Sequence, residues 1–421
     1  MKSSFAIITC FSLFALLHSA HSAKLPEWLT QPEYRADCNY THKFFASKHL
    51  STEGNSGWTY IRILGRSFLA AANYWDGQSP NFGAQSIVYE VKEEGAKGKE
   101  ELTFNSVFEV RSNGARGWEY FEMLGDHMLA LTNYAGNKVM IFRYRENHPK
   151  LFDNFQTLPG DGPISAQFFE AARERFLTVG ENLGKRLSVY KLVGQNKMTS
   201  KFELHQRIET EGLASIKYLV NDKHYLFTTT YHDGDYDTKS SLYVLDHQKK
   251  FQFYQSFQTT APHDVEAFNM KGNSFAFISS ERDDSYPHLD SSLYAYDEKK
   301  GKFALHQNIP TDGAHAAKYF EAAQNSWLAV ANFGDRQRKR FKAESALFKW
   351  NSKTLKFEEH QKFMTFGATN FEYFRIGRNH YLAVSNEGDL TDSSRHHRNI
   401  LYRDSIIYKL KTTEYCPKTE L

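Results

Sequence analysis

The chain has 421 residues, enough for two or three ordinary domains or for one long array of repeats. Aromatic residues make up 15% of it, with 34 Phe and 24 Tyr, while only 10 residues are Pro. This composition favours a β-rich globular protein over a disordered one. The formal net charge of +3 gives no global signal for binding to nucleic acid or to an acidic membrane surface.

The first 23 residues have the pattern of a secretory signal peptide. Lys2 precedes an apolar run from Phe5 to Leu17, and small residues follow, so cleavage is predicted near Ala20 to Ala23. The run is too short to span a membrane comfortably, and no later stretch of about 20 apolar residues exists. We therefore expect a secreted, extracellular protein without a membrane span.

After a short N-terminal segment, 24–43, one sequence motif occurs seven times along the chain. The first aromatic residue of each copy marks the period, and a period of about 50 residues is typical of propellers and other repeat architectures. The spacings are 60, 48, 50, 49, 52 and 54 residues. Each copy begins with Phe, here called the leading Phe, at Phe44, Phe104, Phe152, Phe202, Phe251, Phe303 and Phe357.

Three further positions recur at fixed distances from the leading Phe. Position +4 is Gln in five copies, at Gln156, Gln206, Gln255, Gln307 and Gln361. Position +10 is Gly in six copies, at Gly54, Gly114, Gly162, Gly212, Gly313 and Gly367, with Ala261 as the exception. Position +16 is aromatic in six copies, at Tyr60, Tyr120, Phe168, Tyr218, Tyr319 and Tyr373.

Each unit contains four short apolar segments, for example "WLAVAN" and "SALFKW", separated by Gly, Asn and Asp. This is the pattern of β-strands. Seven units of four strands predict an all-β, seven-bladed β-propeller of four-stranded antiparallel blades. A layered sandwich is the alternative, but it would not require the same Phe and Gly seven times.

The propeller ring can be closed from the sequence. The "SALFKW" strand turns back into "KFEEHQKF" as a hairpin, so the leading-Phe strand belongs to the blade before it. The last blade then lacks an outer strand, and the N-terminal strand that begins at Phe44 is predicted to supply it. The propeller accordingly spans 44–410 and leaves a C-terminal tail, 411–421.

Cys38 and Cys416 are the two cysteines left after signal-peptide cleavage. Cys38 lies six residues before Phe44, and Cys416 six residues after Leu410, so in an antiparallel pair both lie beyond the same edge of the sheet. A disulfide between them is predicted, with two free thiols as the alternative. Asn39 begins an Asn-Tyr-Thr acceptor sequence for N-glycosylation.

The stretches "FELHQRIETEGLASIKYL", "FALHQNIPTDGAHAAKYF…WLAVAN" and "FEEHQKFMTFGATNFEYF…YLAVSN" resemble the epilepsy-associated repeat, called EAR or EPTP. This repeat occurs in leucine-rich glioma-inactivated proteins, and the resemblance covers residues 44–410. It implies a seven-bladed propeller that binds other extracellular or cell-surface proteins, with no enzymatic role established for the repeat. The third to fifth units depart from the pattern because they lack the Asn that ends the second strand elsewhere, and the fifth has "TTAPHD" in place of the Gly turn.

The longest variable loops join the second and third strands and are predicted to cluster on one rim, which is the candidate binding surface. One of them carries a dense basic run, Arg336, Arg338, Lys339 and Arg340, which could bind a sulfated glycan or remain simply solvated. Another carries Asp233, Asp235 and Asp237, an oxygen-rich cluster suited to Ca²⁺ but without the distal Glu of a full calcium loop.

Asp264, in "APHD", is predicted to lie where the chain enters an innermost strand, at the register of Asn370 and near Ser165 and Ser215. It could hold a cation in the channel or solvate a turn. The sequence contains no HExxH, GxSxG, GxxxxGK[ST] or Asp-box motif. The first hypothesis is therefore a non-catalytic protein-binding module. The alternatives are a hydrolase or lyase that uses Asp264 with a cation, and a structural component of a mineral or cuticular matrix.

Overall fold

A computed structural model describes residues 39–77, 79–96, 98–194, 196–231, 236–281, 289–334, 341–388 and 404–415. These residues form 28 β-strands in seven four-stranded antiparallel sheets. Each innermost strand contacts the innermost strands of both neighbouring sheets, so the sheets form a closed ring. The predicted seven-bladed propeller is confirmed.

The blades are numbered along the chain, and each is given from its innermost to its outermost strand. Blade 1 contains β2 (Asn55–Ile63), β3 (Arg66–Asn73), β4 (Gly83–Glu94) and β5 (Glu101–Asn113). Blade 2 contains β6 (Ala115–Met123), β7 (Asp126–Asn133), β8 (Lys138–Tyr144) and β9 (Phe152–Pro159). Blade 3 contains β10 (Pro163–Ala171), β11 (Glu174–Glu181), β12 (Arg186–Val193) and β13 (Lys201–Glu209). Blade 4 contains β14 (Leu213–Val220), β15 (His224–Thr230), β16 (Asp237–Leu245) and β17 (Phe251–Thr260).

The remaining three blades follow the same plan. Blade 5 contains β18 (Val265–Met270), β19 (Asn273–Ile278), β20 (Asp290–Asp297) and β21 (Lys302–Pro310). Blade 6 contains β22 (Ala314–Ala322), β23 (Asn325–Asn332), β24 (Lys342–Asn351) and β25 (Lys356–Phe366). Blade 7 contains β26 (Ala368–Ile376), β27 (Asn379–Asn386), β28 (Ser405–Tyr415) and, at its outer edge, β1 (Asn39–Leu50). The N-terminal strand therefore closes the ring, as predicted.

The hydrophobic core lies between the blades. Seven clusters of buried apolar side chains each join two neighbouring blades. Aromatic rings of adjacent innermost strands stack there, as in Phe268 on Tyr319, with 4.0 Å between ring centroids. Phe169 stacks on Tyr218 in the same way, at 4.2 Å. Each blade must bury both faces against equivalent neighbours, which explains why the aromatic positions repeat.

The recurring Gly at position +10 lies at the crossover between blades. All six glycines have a positive φ there, between +49° and +66°, which Gly adopts without steric cost. Their carbonyl oxygens accept a hydrogen bond from the residue after the second strand, for example from Phe333 N to Gly313 O at 2.7 Å. Ala261 takes the same conformation, with φ +42°, and accepts the equivalent bond from Glu281 N. The crossover geometry is thus kept where the Gly is lost.

The recurring Gln at position +4 joins neighbouring outermost strands. Gln307 Nε2 donates to Phe357 O at 2.8 Å, and its Oε1 accepts from Phe357 N at 2.9 Å. The same pair of bonds to the next leading Phe is made by Gln156, Gln206, Gln255 and Gln361. The Gln361 pair reaches Phe44 and so fastens β1 into the ring.

The residue before this Gln contacts the same seam. His306 Nε2 lies 2.7 Å from Leu355 O, two residues before the leading Phe of the next unit, and His205 and His360 make equivalent contacts. A β-bulge in the outermost strand, where position +3 is the extra residue, lets the two successive side chains reach one seam. The His and Gln side chains of the "HQ" motif therefore form a structural contact between blades.

The Asn at the end of the second strand ties that strand to the third. Asn332 Nδ2 donates to Glu344 O at 2.7 Å, and Asn73 and Asn386 make the same kind of bond. In blade 3, Glu181 takes this place and accepts hydrogen bonds from Arg186 Nη2 and Asp161 N, both at 2.7 Å. An ionic contact thus replaces an amide contact where the sequence departs from the pattern.

Candidate functional site

The long variable loops and one mouth of the channel share a face of the propeller. Each innermost strand starts at this face and the second strand runs back to it, so every loop from second to third strand begins there. We call it the loop face. The loop segments 232–235, 282–288, 335–340 and 389–403 lie outside the described residues, and with them Asp233, Asp235, Arg336, Arg338, Lys339 and Arg340. Their predicted roles stay predictions.

Asp237 is described and lies at the start of β16, where its side chain is exposed. Its Oδ1 accepts a hydrogen bond from Thr260 Oγ1 at 3.1 Å. Among the residues that the structure describes, no group of three or more His, Cys, Asp or Glu is placed to hold a metal ion. The Ca²⁺ prediction for this loop stays a prediction.

The channel opens at the loop face into a cavity of about 250 Å³, to which all seven blades contribute, six through their innermost strands and blade 5 through the residues directly before β18. Its lining is polar for the most part and includes Arg116, Glu119, His263, Asp264 and Asn370. Asp264 lies directly before β18, at the entry to the innermost strand. Ser215 and Asn370 line the same cavity, so the sequence placed these residues in the right part of the fold.

Both carboxylate oxygens of Asp264 accept hydrogen bonds from neighbouring blades. Ser215 Oγ donates to Oδ1 at 2.8 Å, and Ala317 N donates to Oδ2 at 3.2 Å. Burial, together with the nearby Glu266 carboxylate, raises the pKa of Asp264. These contacts make Asp264 a link between blades 4, 5 and 6. A channel cation at Asp264 remains a prediction.

A second register, one that the sequence reasoning missed, places charged residues inside the channel. It is position +15, directly before the recurring aromatic residue, and we call its seven residues the channel ring. The spacing from the leading Phe was the signal that could have revealed it, because this position is polar in every copy. The channel ring consists of Thr59, Glu119, Gln167, Lys217, Glu266, Lys318 and Glu372.

Neighbouring members of the channel ring pair across the seams between blades. Lys217 Nζ lies 2.7 Å from Glu266 Oε2, and Lys318 Nζ lies 2.7 Å from Glu372 Oε2. The remaining Glu of the ring, Glu119, has no Lys neighbour there. Instead, Gln167 Nε2 donates a hydrogen bond to Glu119 Oε1 at 2.8 Å. Two seams therefore have an ion pair, whereas the third has a hydrogen bond between an amide and a carboxyl group.

Each Glu of the ring also binds the backbone of the next blade. The N–H of Phe168 donates to Glu119 at 2.9 Å, that of Tyr319 to Glu266 at 3.1 Å, and that of Tyr60 to Glu372 at 3.2 Å. The donor is the aromatic residue at position +16 in all three cases. The ring therefore satisfies backbone donors that would otherwise face the channel.

The channel environment shifts the ionisation of the ring. Burial raises the pKa of Glu119 to about 7, since its neighbours are hydrogen-bond donors and not a paired cation. Burial disfavours the charge of Lys217, but the Glu266 carboxylate outweighs it and holds the pKa of that ammonium above its ordinary value. Lys318 is held charged in the same way by Glu372.

Cys38, Cys416 and the Asn39 side chain lie outside what the structure describes. Near them in the sequence, Tyr40 Oη donates a hydrogen bond to Glu414 Oε1 at 2.9 Å, which joins the start of β1 to the end of β28. Tyr40 is two residues after Cys38, and Glu414 two residues before Cys416. The disulfide and the glycan remain predictions.

The comparisons with known proteins agree with this architecture. Residues 302–351 and 356–409, the sixth and seventh repeat units, match the EPTP domain family. The thrombospondin-type laminin G domain and EAR repeat-containing proteins of Homo sapiens and Mus musculus are 38% and 35% identical to the chain over 122 and 121 residues. Each match covers 28% of this chain and only 16% of the relative.

Among solved structures, a candidate 6-phosphogluconolactonase from Bacteroides uniformis superimposes with a TM-score of 0.50 at 12% sequence identity. The superposition covers 72% of this chain and 84% of that one, and it shows a likeness of fold alone. Within the described residues, no helix has the length and apolar character needed to cross a bilayer.

The fold and the channel define this protein as a seven-bladed β-propeller built from a repeated four-stranded unit. Two of its repeat units match the EPTP domain family, and the relatives that it resembles are EAR repeat-containing proteins. The resemblance found in the sequence is confirmed.

Proposed function

We propose that this protein is a secreted, non-catalytic binding module that engages an extracellular or cell-surface protein through the loop face. The observation that carries the proposal is the contrast between a uniform frame and variable loops. The Gln and Gly contacts recur from blade to blade, whereas the second-to-third-strand loops differ in length and charge on one face. A rigid scaffold that presents variable loops is typical of recognition.

Two further observations support this proposal. The curated relatives carry laminin G domains beside their EAR repeats, according to their names, which fits an extracellular setting for the repeat. The polar groups of the channel also bind one another across the blades, as Glu266 does with Lys217 and Tyr319. These side chains serve to hold the ring together, which leaves the loops as the recognition elements.

The test is affinity capture with the intact protein as bait on cell-surface and matrix extracts. The four long loops, 232–235, 282–288, 335–340 and 389–403, are replaced, singly and together, by Gly-Ser segments of equal length. The control replaces 247–249, in the turn between β16 and β17 on the opposite face, in the same way. We expect a saturable partner whose affinity falls at least about tenfold with the loop variants and is kept by the control. Equal binding after all four long loops are replaced would refute the proposal.

The alternative enzyme, a hydrolase or lyase with a cation at Asp264, has less support. Both oxygens of that carboxylate are already engaged by Ser215 and Ala317, and the fold likeness to a candidate lactonase lies at 12% identity. Elemental analysis of the purified protein checks it. A stoichiometric divalent cation that disappears in Asp264→Asn, together with turnover of an ester or lactone, would favour the enzyme.

A further inference from the structure

Arg116 occupies an unusual place at the mouth of the channel. It is the bulged residue of β6, at position +12, and it lines the cavity. Its guanidinium carbon lies 4.1 Å from the ring centroid of Tyr74 and 5.4 Å from that of Tyr134. Tyr74 follows β3 and Tyr134 follows β7, so rings from two blades hold one planar cation at the loop face.

Arg116 also lacks the carboxylate partner that comparable arginines have. Arg66 is paired with Glu90 at 2.8 Å, and Arg186 with Glu181 at 2.7 Å. Across the ranges that the structure describes, no Asp or Glu lies within 4.0 Å of the Arg116 guanidinium nitrogens, and its Nε is buried without an acceptor. A positioned cation with an unused donor is arranged to receive an anion from outside.

Ser56 supplies a second unused polar atom in the same cavity. It is the equivalent +12 residue of the adjacent blade 1, its side chain is buried with 8% exposed, and its Oγ has no partner among the described atoms. Buried polar atoms of folded proteins are nearly always hydrogen-bonded, so a donor that lines a cavity is expected to meet a ligand or solvent.

Two glycines leave room beside these groups. Gly57 and Gly117 hold position +13, where the other five blades carry Ser165, Ser215, Asp264, Ala316 and Asn370. Neither glycine has a positive φ, so the backbone does not require Gly there. A Cβ on Gly117 would meet no atom within 4 Å. The missing side chains therefore widen the cavity next to Arg116 and Ser56.

We propose that Arg116 and Ser56 form a carboxylate-binding subsite at the channel mouth, with the guanidinium fork and the serine hydroxyl as its donors. A monovalent carboxylate fits better than phosphate or sulfate, because Glu119 and Asp264 also line the cavity and would repel a dianion. The carboxylate belongs either to a free small acid or to an Asp or Glu side chain of a protein partner. The inference rests on the proposed function only where the carboxylate belongs to a protein partner.

The first experiment uses the free ligand and the whole protein. The melting temperature is measured in increasing sodium acetate at constant ionic strength, with sodium chloride and neutral acetamide as references. Acetate that binds the native state raises the melting temperature in a saturable way. We expect Arg116→Met to weaken the apparent affinity by about 10- to 100-fold, and Ser56→Ala to weaken it several-fold.

Arg145→Met is the matched control. Arg145 follows β8 on the opposite face, where it pairs with Asp153 at 3.4 Å, so this variant should respond to acetate like the wild type. Circular dichroism in chloride establishes that each variant is folded. Equal acetate shifts in wild type and Arg116→Met, or equal shifts from acetamide and acetate, would overturn the free-acid form of the proposal.

The second experiment separates the two sources. Binding of the captured partner is measured for Arg116→Met and Arg145→Met. A loss of about tenfold or more in the first variant alone, without an acetate effect, assigns the carboxylate to the partner. Insensitivity of both acetate and partner binding to Arg116→Met overturns the subsite while the loop-face function stands. Absence of any captured protein counts against the proposed function and leaves an acetate result valid.

Discussion

The perimeter and the channel of this propeller hold neighbouring blades together by different means. At the perimeter, five of seven seams carry the same neutral clamp, in which one Gln binds both backbone groups of the next leading Phe. In the channel, the equivalent positions differ from blade to blade and include the Lys217–Glu266 ion pair and the hydrogen bond from the Gln167 amide to the Glu119 carboxyl group. The uniform perimeter contacts therefore appear as a repeat in the sequence and reveal the fold. The varied channel contacts determine which charges lie inside this particular propeller.

The two seams beside blade 1 show how the perimeter tolerates loss of the clamp. Position +4 is Lys48 at one of them and Phe108 at the other. Phe108 packs on Phe152 instead, with 5.3 Å between ring centroids. At the seam with blade 7, Glu93 accepts hydrogen bonds from Asn379 and Tyr381. Blade 1 is thus joined by apolar and charged contacts on its two sides.

The largest expected effect comes from breaking an ion pair of the channel ring. Glu266→Gln keeps an acceptor for Tyr319 N–H but leaves Lys217 without its counter-charge, so we expect a loss of about 3 kcal/mol in the free energy of unfolding. The perimeter control is Glu344→Gln, which removes the exposed pair with Lys362 at 3.2 Å and should cost less than about 1 kcal/mol. Urea unfolding measures both. Similar losses in the two variants would contradict the contrast between channel and perimeter.

A smaller effect is expected from pH, acting through Glu119. Because its pKa is raised from 4.5 to about 7 in the folded protein, the folded state holds the proton more tightly than the unfolded chain does. This contribution to stability is complete below pH 4.5 and is lost as the pH rises through 7, with a magnitude of about 2 to 3 kcal/mol.

Glu119→Gln should remove this part of the pH dependence. Asp264 also has a raised pKa and acts in the same direction, so the measured quantity is the difference between wild type and variant. The midpoints of urea unfolding at pH 5 and pH 8, measured for both proteins, give this difference. If both proteins lose the same stability between these pH values, the ionisation assigned to Glu119 is wrong.

The smallest effects concern the perimeter clamp. Gln307→Ala leaves the N–H and C=O of Phe357 without the side-chain partners that they now have, and we expect a loss of about 2 kcal/mol. Gln252→Ala, which removes an exposed contact to Asp246, is the control and should cost less than about 0.5 kcal/mol.

The converse substitution adds a Gln clamp at a seam that lacks one. Lys48→Gln places the missing amide opposite Phe104, and an added pair of hydrogen bonds should stabilise the fold by about 1 kcal/mol. Urea unfolding again provides the measurement. An unchanged midpoint in both Gln307→Ala and Lys48→Gln would mean that the repeated Gln does not hold the outer seams.

Much of the candidate site was accessible from the sequence, and some of it was not. The entry position of Asp264 and the common face of the long loops follow from strand order alone. The carboxylate's bonds to Ser215 and Ala317 do not, because they cross two seams. The recurring Gln was visible as a pattern, but its purpose depends on a β-bulge that no spacing reveals.

The sequence by itself determined the number of blades, the strand order and the closure of the ring by the N-terminal strand, because a period of about fifty residues makes each unit equivalent to the next. Only the tertiary structure decided which polar side chains meet. Partners such as Lys318 and Glu372 are 54 residues apart in the chain and come within 2.7 Å when the blades pack around a common axis. Such contacts depend on the geometry between repeats, which periodicity within the chain does not contain.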